Sequence, residues 1–223
     1  MIEIADINLT NLCNAGCPQC QRTSPFGLHT DINLPLTTWS LEDFKTYFPK
    51  NTLDDLKEYS FCGTYGDPLM AKDIEPIVYY IMDNSNAIVI ITTNGSIRKE
   101  DFYTRLGEYC GRRLSFVIDV DGVDEQMHQK YRRGTSLKKS LSALKAISKT
   151  KAIPLSQTVL FKHNEMYENR IKQLAIKNGS KNHVSYPSGR FDDVHGDDHT
   201  FNFINENGEA DTLERAVHAK NYM

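Results

Sequence analysis

The apolar positions of this chain fall into two alternating kinds of segment. Unbroken apolar runs of strand length occur at "AIVIITTNG" and "LSFVIDVDG", and such runs suit strands buried on both faces of a parallel sheet. Other apolar residues recur at helical spacing: Ile74, Ile77, Val78 and Ile81; Phe102, Leu106 and Tyr109; Leu137, Leu141, Leu144 and Ile147; Ile171, Leu174 and Ala175. These four stripes predict amphipathic helices. Ser40 with Asp43 three residues later reads as a capping box starting a helix through Phe44 and Tyr47. Gly179 is a natural stop for the Ile171 helix.

Four further segments read as strands. Ile2, Ile4, Ile7 and Leu9 alternate with polar residues in a short first strand, and "YSFCGTYGDP" is a second that ends in a glycine-rich turn. Ile153 to Phe161 is a fifth strand and "NHVSYPSGR" a sixth. Strand and helix thus alternate six times, the pattern of a parallel sheet with helices packed outside. A full eight-unit barrel needs about 250 residues, so 223 residues fit six units better. The expected fold is α/β: a partial (β/α)6 TIM-like barrel, parallel strands inside and helices outside. Residues 1–190 are expected to form the barrel and 191–223 a short extension over its rim. That extension holds the acidic, histidine-containing "FDDVHGDDH" and a weak helix near Thr212–Ala219.

Composition narrows the function classes. The net charge of -3 gives no basic footprint for nucleic acid or an anionic membrane. No apolar run reaches the length of a membrane span, and MIEIADINLT lacks the basic start and apolar stretch of a leader peptide. Five cysteines, three of them clustered, argue against a secreted disulfide framework. A cytoplasmic location is expected.

The cluster is "CNAGCPQC", with Cys13, Cys17 and Cys20 on the loop after the first strand. A structural zinc site takes four protein ligands, commonly as two separated pairs. No second C-x-x-C exists, nothing frames His29 as a fourth ligand, and Cys62 lies at the end of another strand. A four-iron cluster usually takes four thiolates. Three thiolates would leave one iron open to a small molecule, as catalytic metals keep a position free. Cys62 and Cys110 read as packing residues, because free cysteine is among the most buried types.

In barrels of this kind chemistry sits at the carboxyl ends of the strands. Those ends read CNAGCPQC, CGTYGDP, TTNG and DVDG. Together they resemble the radical S-adenosylmethionine (radical SAM) superfamily. C-x3-C-x2-C matches its cluster motif. Tyr65-Gly66-Asp67-Pro68 resembles its Gly-Gly-Glu-Pro motif, and Thr92 to Gly95 its third-strand motif. Asp119 to Ser136, "DVDGVDEQMHQKYRRGTS", resembles the S-x-D-G and following segment of the subgroup that modifies peptides and proteins.

The resemblance implies a 4Fe-4S cluster held by Cys13, Cys17 and Cys20, and S-adenosylmethionine chelating the open iron. Reductive cleavage would give a 5′-deoxyadenosyl radical that takes a hydrogen from a substrate, a peptide or protein in the first reading. A small metabolite or nucleotide is the alternative. A non-catalytic iron–sulfur or zinc protein is the reading from another class. The electron would come from a one-electron donor such as flavodoxin or ferredoxin.

Implied cofactor contacts are Gln19, Gly66, Asp67, Pro68, Thr93, Asn94, Asp119 and Arg132. Asp67, or the carbonyls beside it, would take the ammonium of S-adenosylmethionine, and Arg132 its carboxylate. Three positions depart from the family: Gln19 stands where an aromatic is common, Asp67 where Glu is, and Asp119 where Ser is. No cysteine follows Cys110, so either one cluster serves the reaction or a cysteine-bearing C-terminal domain is missing. Tyr186, Ser188 and Arg190, in the sixth-strand segment, and Gln157 and Lys162, on or near the end of the fifth strand, are candidate substrate contacts. His195, Asp197, Asp198 and His199 read as a surface loop rather than a metal site.

Overall fold

The computed structural model describes residues 3–24, 26–27, 30–191, 196–197 and 199–218. Six parallel strands form one sheet in chain order: β1 (Ile4–Asp6), β2 (Glu58–Phe61), β3 (Ile88–Thr93), β4 (Leu114–Asp119), β5 (Ile153–Leu160) and β6 (His183–Pro187). Every neighbouring pair is parallel. The connections carry α1 (Leu41–Tyr47), α2 (Ile74–Asn84), α3 (Glu100–Cys110), α4 (Glu125–Tyr131), α5 (Leu137–Ile147) and α6 (Glu168–Lys177). The result is the α/β partial barrel expected, a curled half-barrel.

Burial alternates along the strands as a two-residue period requires. The face toward the helices is closed: Tyr59, Phe61, Val89, Ile91, Phe116 and Ile118 are fully buried with Ile74, Ile77, Leu106 and Leu144 from the helices. The concave face is open, and Ile4, Ile88 and Val184 are 56%, 41% and 54% exposed. β1 is shorter than its alternation suggested. Ile4 lies on the concave face, whereas Ile7 and Leu9 turn into the core, so the pattern changes phase after Asp6. Ser40 and Asp43 form the capping box in full at α1. Gly179 has φ +104 just beyond α6, a left-handed position that favours glycine. The helix α4, with Asp124 as its N-cap, was not read from the sequence.

The C-terminal segment differs from expectation. No helix forms near Thr212–Ala219 among the described residues. Instead β7 (Gly196–Asp197), β8 (Thr200–Ile204) and β9 (Ala210–Glu214) make an antiparallel sheet. "TFNFI" alternates, with Phe201 and Phe203 buried and Asn202 exposed, and Leu213 of β9 is buried opposite. Asn205 to Gly208 forms the turn, with Gly208 at φ +80. Thr212 is a strand former beside that turn, and the cross-strand packing of Leu213 against Phe201 prevails over weak helical periodicity.

This sheet carries a second apolar core. Phe201, Phe203 and Leu213 cluster with Tyr131, Val159, Phe161, Phe191, Ala15 and Cys17. Arg133 joins the parts: its guanidinium lies 4.4 Å from the Phe203 ring centre and 3.0 Å from Asp211, and its carbonyl accepts from Gly16 N. The backs of the cysteine loop and the C-terminal sheet are thereby packed as one unit. Among the described residues, no helix is long and apolar enough to cross a membrane.

Candidate active site

The cysteine loop follows β1 and is braced from within. Buried Arg22 donates to the carbonyls of Asn11 at 2.8 Å and Ala15 at 3.3 Å. Cys20 N donates to Cys17 O, and Thr23 N to Cys20 O. The three thiols are free and all face one cleft of about 270 Å³. Ala15 N donates to Cys13 Sγ at 3.3 Å.

The loop after β2 is pressed against the cysteine loop. Asp67 N donates to Leu12 O at 2.9 Å, and a Cβ on Gly66 would lie 2.2 Å from Thr10 O. That distance excludes any side chain at Gly66. The Asp67 carboxylate accepts from Thr93 Oγ1, Asn94 N, Asn94 Nδ2 and Leu69 N, all at 2.8–3.0 Å. Burial pushes its carboxyl up, and the Asn94 and Thr93 donors push back. Asp67 thus ties the second strand's loop to the third's. Pro68 is buried behind it, at the start of a short turn. Asn94 Nδ2 also donates to Asn14 Oδ1 at 2.8 Å, which joins the third loop to the cysteines.

The fourth loop supplies the charges. Arg132 pairs with Asp119 at 2.8 Å and with Asp121 at 2.5 Å. Asp119 also accepts from Gln157 Nε2, and Asp121 from Val159 N. One guanidinium therefore serves two buried carboxylates. Burial raises the Asp119 carboxyl against the pull of Arg132, and the Asp121 charge adds to the rise. Burial opposes the charge on Arg132, but Asp119 and Asp121 hold it protonated. Arg132 and Arg133 are not a solvated face: both guanidiniums are mostly buried and paired.

His128 supports this group from beneath. Asp121 N donates to His128 Nδ1 at 3.1 Å, so the proton sits on Nε2, which faces Thr135 Oγ1 at 3.0 Å. Burial depresses the His128 pKa to about 4. A histidine kept neutral when folded stabilises the protein above its unfolded pKa of about 6.5, and that stability is lost as pH falls toward 4. We expect His128→Gln to remove about 3 kcal/mol of the stability change across this window, measured by urea unfolding at a series of pH values. Equal pH slopes in variant and wild type would contradict this role.

The cleft brings together Cys13, Cys17, Cys20, Gly66, Asp67, Thr93, Asn94, Asp119 and Arg132. Pro68 and Gln19 do not line it. Gln19 is buried, with its side-chain oxygen accepting from Ser188 Oγ at 2.6 Å and its carbonyl from Arg190 Nη1 at 3.0 Å. Gln157, Tyr186, Ser188 and Arg190 line the cleft as well, whereas Lys162 pairs with Glu214 and is not among its lining residues. Cys62, expected as a packing residue, lines the cleft too, because it lies one residue past β2 on the concave side. Cys110 is buried in the main core as expected. Asp121 and His128 were not singled out from the sequence, although both lie inside the "DVDGVDEQMH" segment. His29, His195 and Asp198 lie outside the described residues.

The donor set fits an iron–sulfur cluster. Burial pushes Cys13 up to about 11, with Asp67 adding, and raises Cys17 further despite nearby Arg132. Thiolates are costly here unless a cation compensates, and soft thiolates suit iron–sulfur centres. Among the described residues, no three His, Cys, Asp or Glu groups converge on a single metal ion.

Residues 7–175 match the family model described as the Radical SAM superfamily. A GTP 3′,8-cyclase from Campylobacter jejuni subsp. doylei is 31% identical over 121 residues, covering 53% of this chain and 35% of that protein. Streptococcus suis SuiB bound to S-adenosylmethionine superposes with TM-score 0.66 at 15% identity, over 83% of this chain and 40% of SuiB. Native anSMEcpe with bound AdoMet superposes with TM-score 0.64 at 17% identity, over 84% of this chain and 52% of that one. The chain therefore spans about a third of the curated relative and about half or less of these two structures.

Proposed function

The chain belongs to the radical SAM superfamily, and on that premise we propose that it abstracts a hydrogen atom from a peptide or protein substrate. What carries this reading is the convergence of Cys13, Cys17 and Cys20 with Asn94, Asp119 and Arg132 on one cleft. When bound there, a 4Fe-4S cluster and S-adenosylmethionine supply the one-electron chemistry that generates the abstracting radical. The protein's own residues bind, orient and shield. Cys13, Cys17 and Cys20 hold the cluster. Gly66 and Asp67 set the loop whose carbonyls receive the cofactor's ammonium, the Asp67 carboxylate itself being spent on Thr93, Asn94 and Leu69. Asp119 offers its remaining lone pairs to ribose hydroxyls. Arg132, already shared by two aspartates, positions Asp119 rather than serving as a free clamp for the cofactor carboxylate. The second apolar core behind Cys17 excludes water from that side of the cluster.

A peptide substrate is supported by the "DVDGVDEQMHQKYRRGTS" segment and by the kind of proteins that share this fold. SuiB has been seen bound to the precursor peptide SuiA and anSMEcpe with the Cp18Cys peptide. A nucleotide substrate is the second reading, favoured by the match to a GTP 3′,8-cyclase. The test is anaerobic reconstitution with iron and sulfide, reduction by dithionite in place of a flavodoxin or ferredoxin, and assay of 5′-deoxyadenosine by mass spectrometry. Peptide pools are expected to stimulate its formation. Stimulation by GTP and not by peptides would replace the peptide reading with the nucleotide one.

A further inference from the structure

The charges that face the cleft are unevenly matched. Two carboxylates line it, Asp67 and Asp119, and two guanidiniums, Arg132 and Arg190. Asp67 is satisfied by neutral donors, and Arg132 is consumed by Asp119 and Asp121. Arg190 differs from both. It lies on the loop after β6, half-buried, and makes no ion pair among the described residues. Its Nη1 donates to the Gln19 carbonyl at 3.0 Å, and its backbone N contacts Ser188 Oγ at 3.4 Å. Ser188 is in turn fixed to the Gln19 side chain at 2.6 Å.

This bond holds one corner of the guanidinium against the cysteine loop, and among the described residues its other nitrogens have no ion-pair partner. A guanidinium held this way loses little freedom on binding, and its fork matches carboxylate or phosphate oxygens. The remainder of the site offers no spare cation: Asp119 and Asp121 share the one guanidinium of Arg132. Among the described residues that line the cleft, Arg190 on the β6 side is the guanidinium that no carboxylate pairs.

We infer that Arg190 is the substrate anchor, receiving an oxyanion of the substrate and orienting the rest of it toward the cysteine loop. This rests on the function proposed above and adds to it: in the peptide reading, the substrate carries an acidic side chain or its C-terminal carboxylate near the reacting position. The substrate is assigned the anion, not the cofactor, because the groups proposed to hold S-adenosylmethionine lie on the loops after β2, β3 and β4. Arg190 instead lies on the loop after β6, bonded to Gln19 of the cysteine loop.

The experiment uses the full chain with its cluster reconstituted, S-adenosylmethionine present and no reductant, in low salt. The probes are two fluorescein-labelled hexapeptide pools, amidated at the C-terminus and identical except that one carries Asp or Glu where the other carries Asn or Gln. GTP and inorganic pyrophosphate serve as competitors. Binding is read by fluorescence polarisation in wild type, Arg190→Gln and Arg190→Lys. A charge-assisted hydrogen bond predicts about tenfold or greater preference of wild type for the acidic pool. Arg190→Gln is expected to abolish that preference and Arg190→Lys to keep part of it. Iron content and circular dichroism confirm that the variants are folded and loaded.

Equal binding of both pools to wild type, with GTP and pyrophosphate equally weak in wild type and Arg190→Gln, overturns the inference. Loss of S-adenosylmethionine binding in Arg190→Gln overturns it too, by assigning the anion to the cofactor. If GTP binds in an Arg190-dependent way while neither peptide pool does, the anchor stands and the peptide reading falls.

Discussion

Replacing Cys17 with alanine empties the site of iron. Cys17 is the most buried of the three loop thiols, packed with Tyr131, Val159 and Phe191. Two remaining thiolates cannot hold a cuboidal cluster that needs at least three, so iron should fall from about four per chain to well below one. Production of 5′-deoxyadenosine should fall below detection. The fold should survive. Sulfur here is a small apolar filler, and its loss costs about 1 kcal/mol, which lowers the melting temperature of a domain this size by about 2–4 °C. Metal analysis and thermal melts of the apo-proteins, side by side, check both halves. A variant with wild-type iron and wild-type 5′-deoxyadenosine would remove the cysteine loop from the mechanism.

Arg132→Met is the substitution expected to cost most stability. It leaves Asp119 and Asp121 buried without their shared cation, and breaking a buried ion pair from one side costs about 3–5 kcal/mol. Methionine fills much of the volume, so packing contributes little. Asp121→Asn added to Arg132→Met should recover part of the loss by removing one charge.

The pH dependence follows from the direction in which burial moves Asp119. Its folded pKa is already raised, and removing Arg132 raises it further. A carboxyl whose folded pKa exceeds its unfolded value of about 3.9 stabilises the protein at low pH and loses that contribution as pH rises. The deficit of Arg132→Met should therefore be smaller at pH 5 than at pH 8. Urea unfolding of the apo-proteins measures it, and a loss below about 1 kcal/mol at pH 8 would mean the triad is solvated.

The parallel strands were legible because their apolar runs are long and the helical stripes between them regular. The cysteine spacing, Gly66, Asn94 and Asp119 were legible as strand-end chemistry. Asp121 was not, because a second aspartate two residues after the first gives no sign that both share Arg132. That pairing depends on α4, whose seven residues, Glu125–Tyr131, are too short for a clear apolar stripe. His128 was hidden for the same reason. Cys62 was misjudged because the closing side of a half-barrel strand cannot be told from its open side by composition. The C-terminal sheet was missed although "TFNFI" alternates and "NENG" is a turn; its partner β9 has only one buried residue of strand type, Leu213.

Electron paramagnetic resonance of the dithionite-reduced, reconstituted protein, with and without the cofactor, tests most directly the proposal that one cleft holds both a three-thiolate cluster and S-adenosylmethionine. About four irons per chain and a spectrum whose g-values move when S-adenosylmethionine is added are the expected result, because the cofactor would coordinate the iron that lacks a cysteine. A cluster spectrum that does not change at saturating cofactor, or a protein that takes up one zinc and no iron, would contradict it.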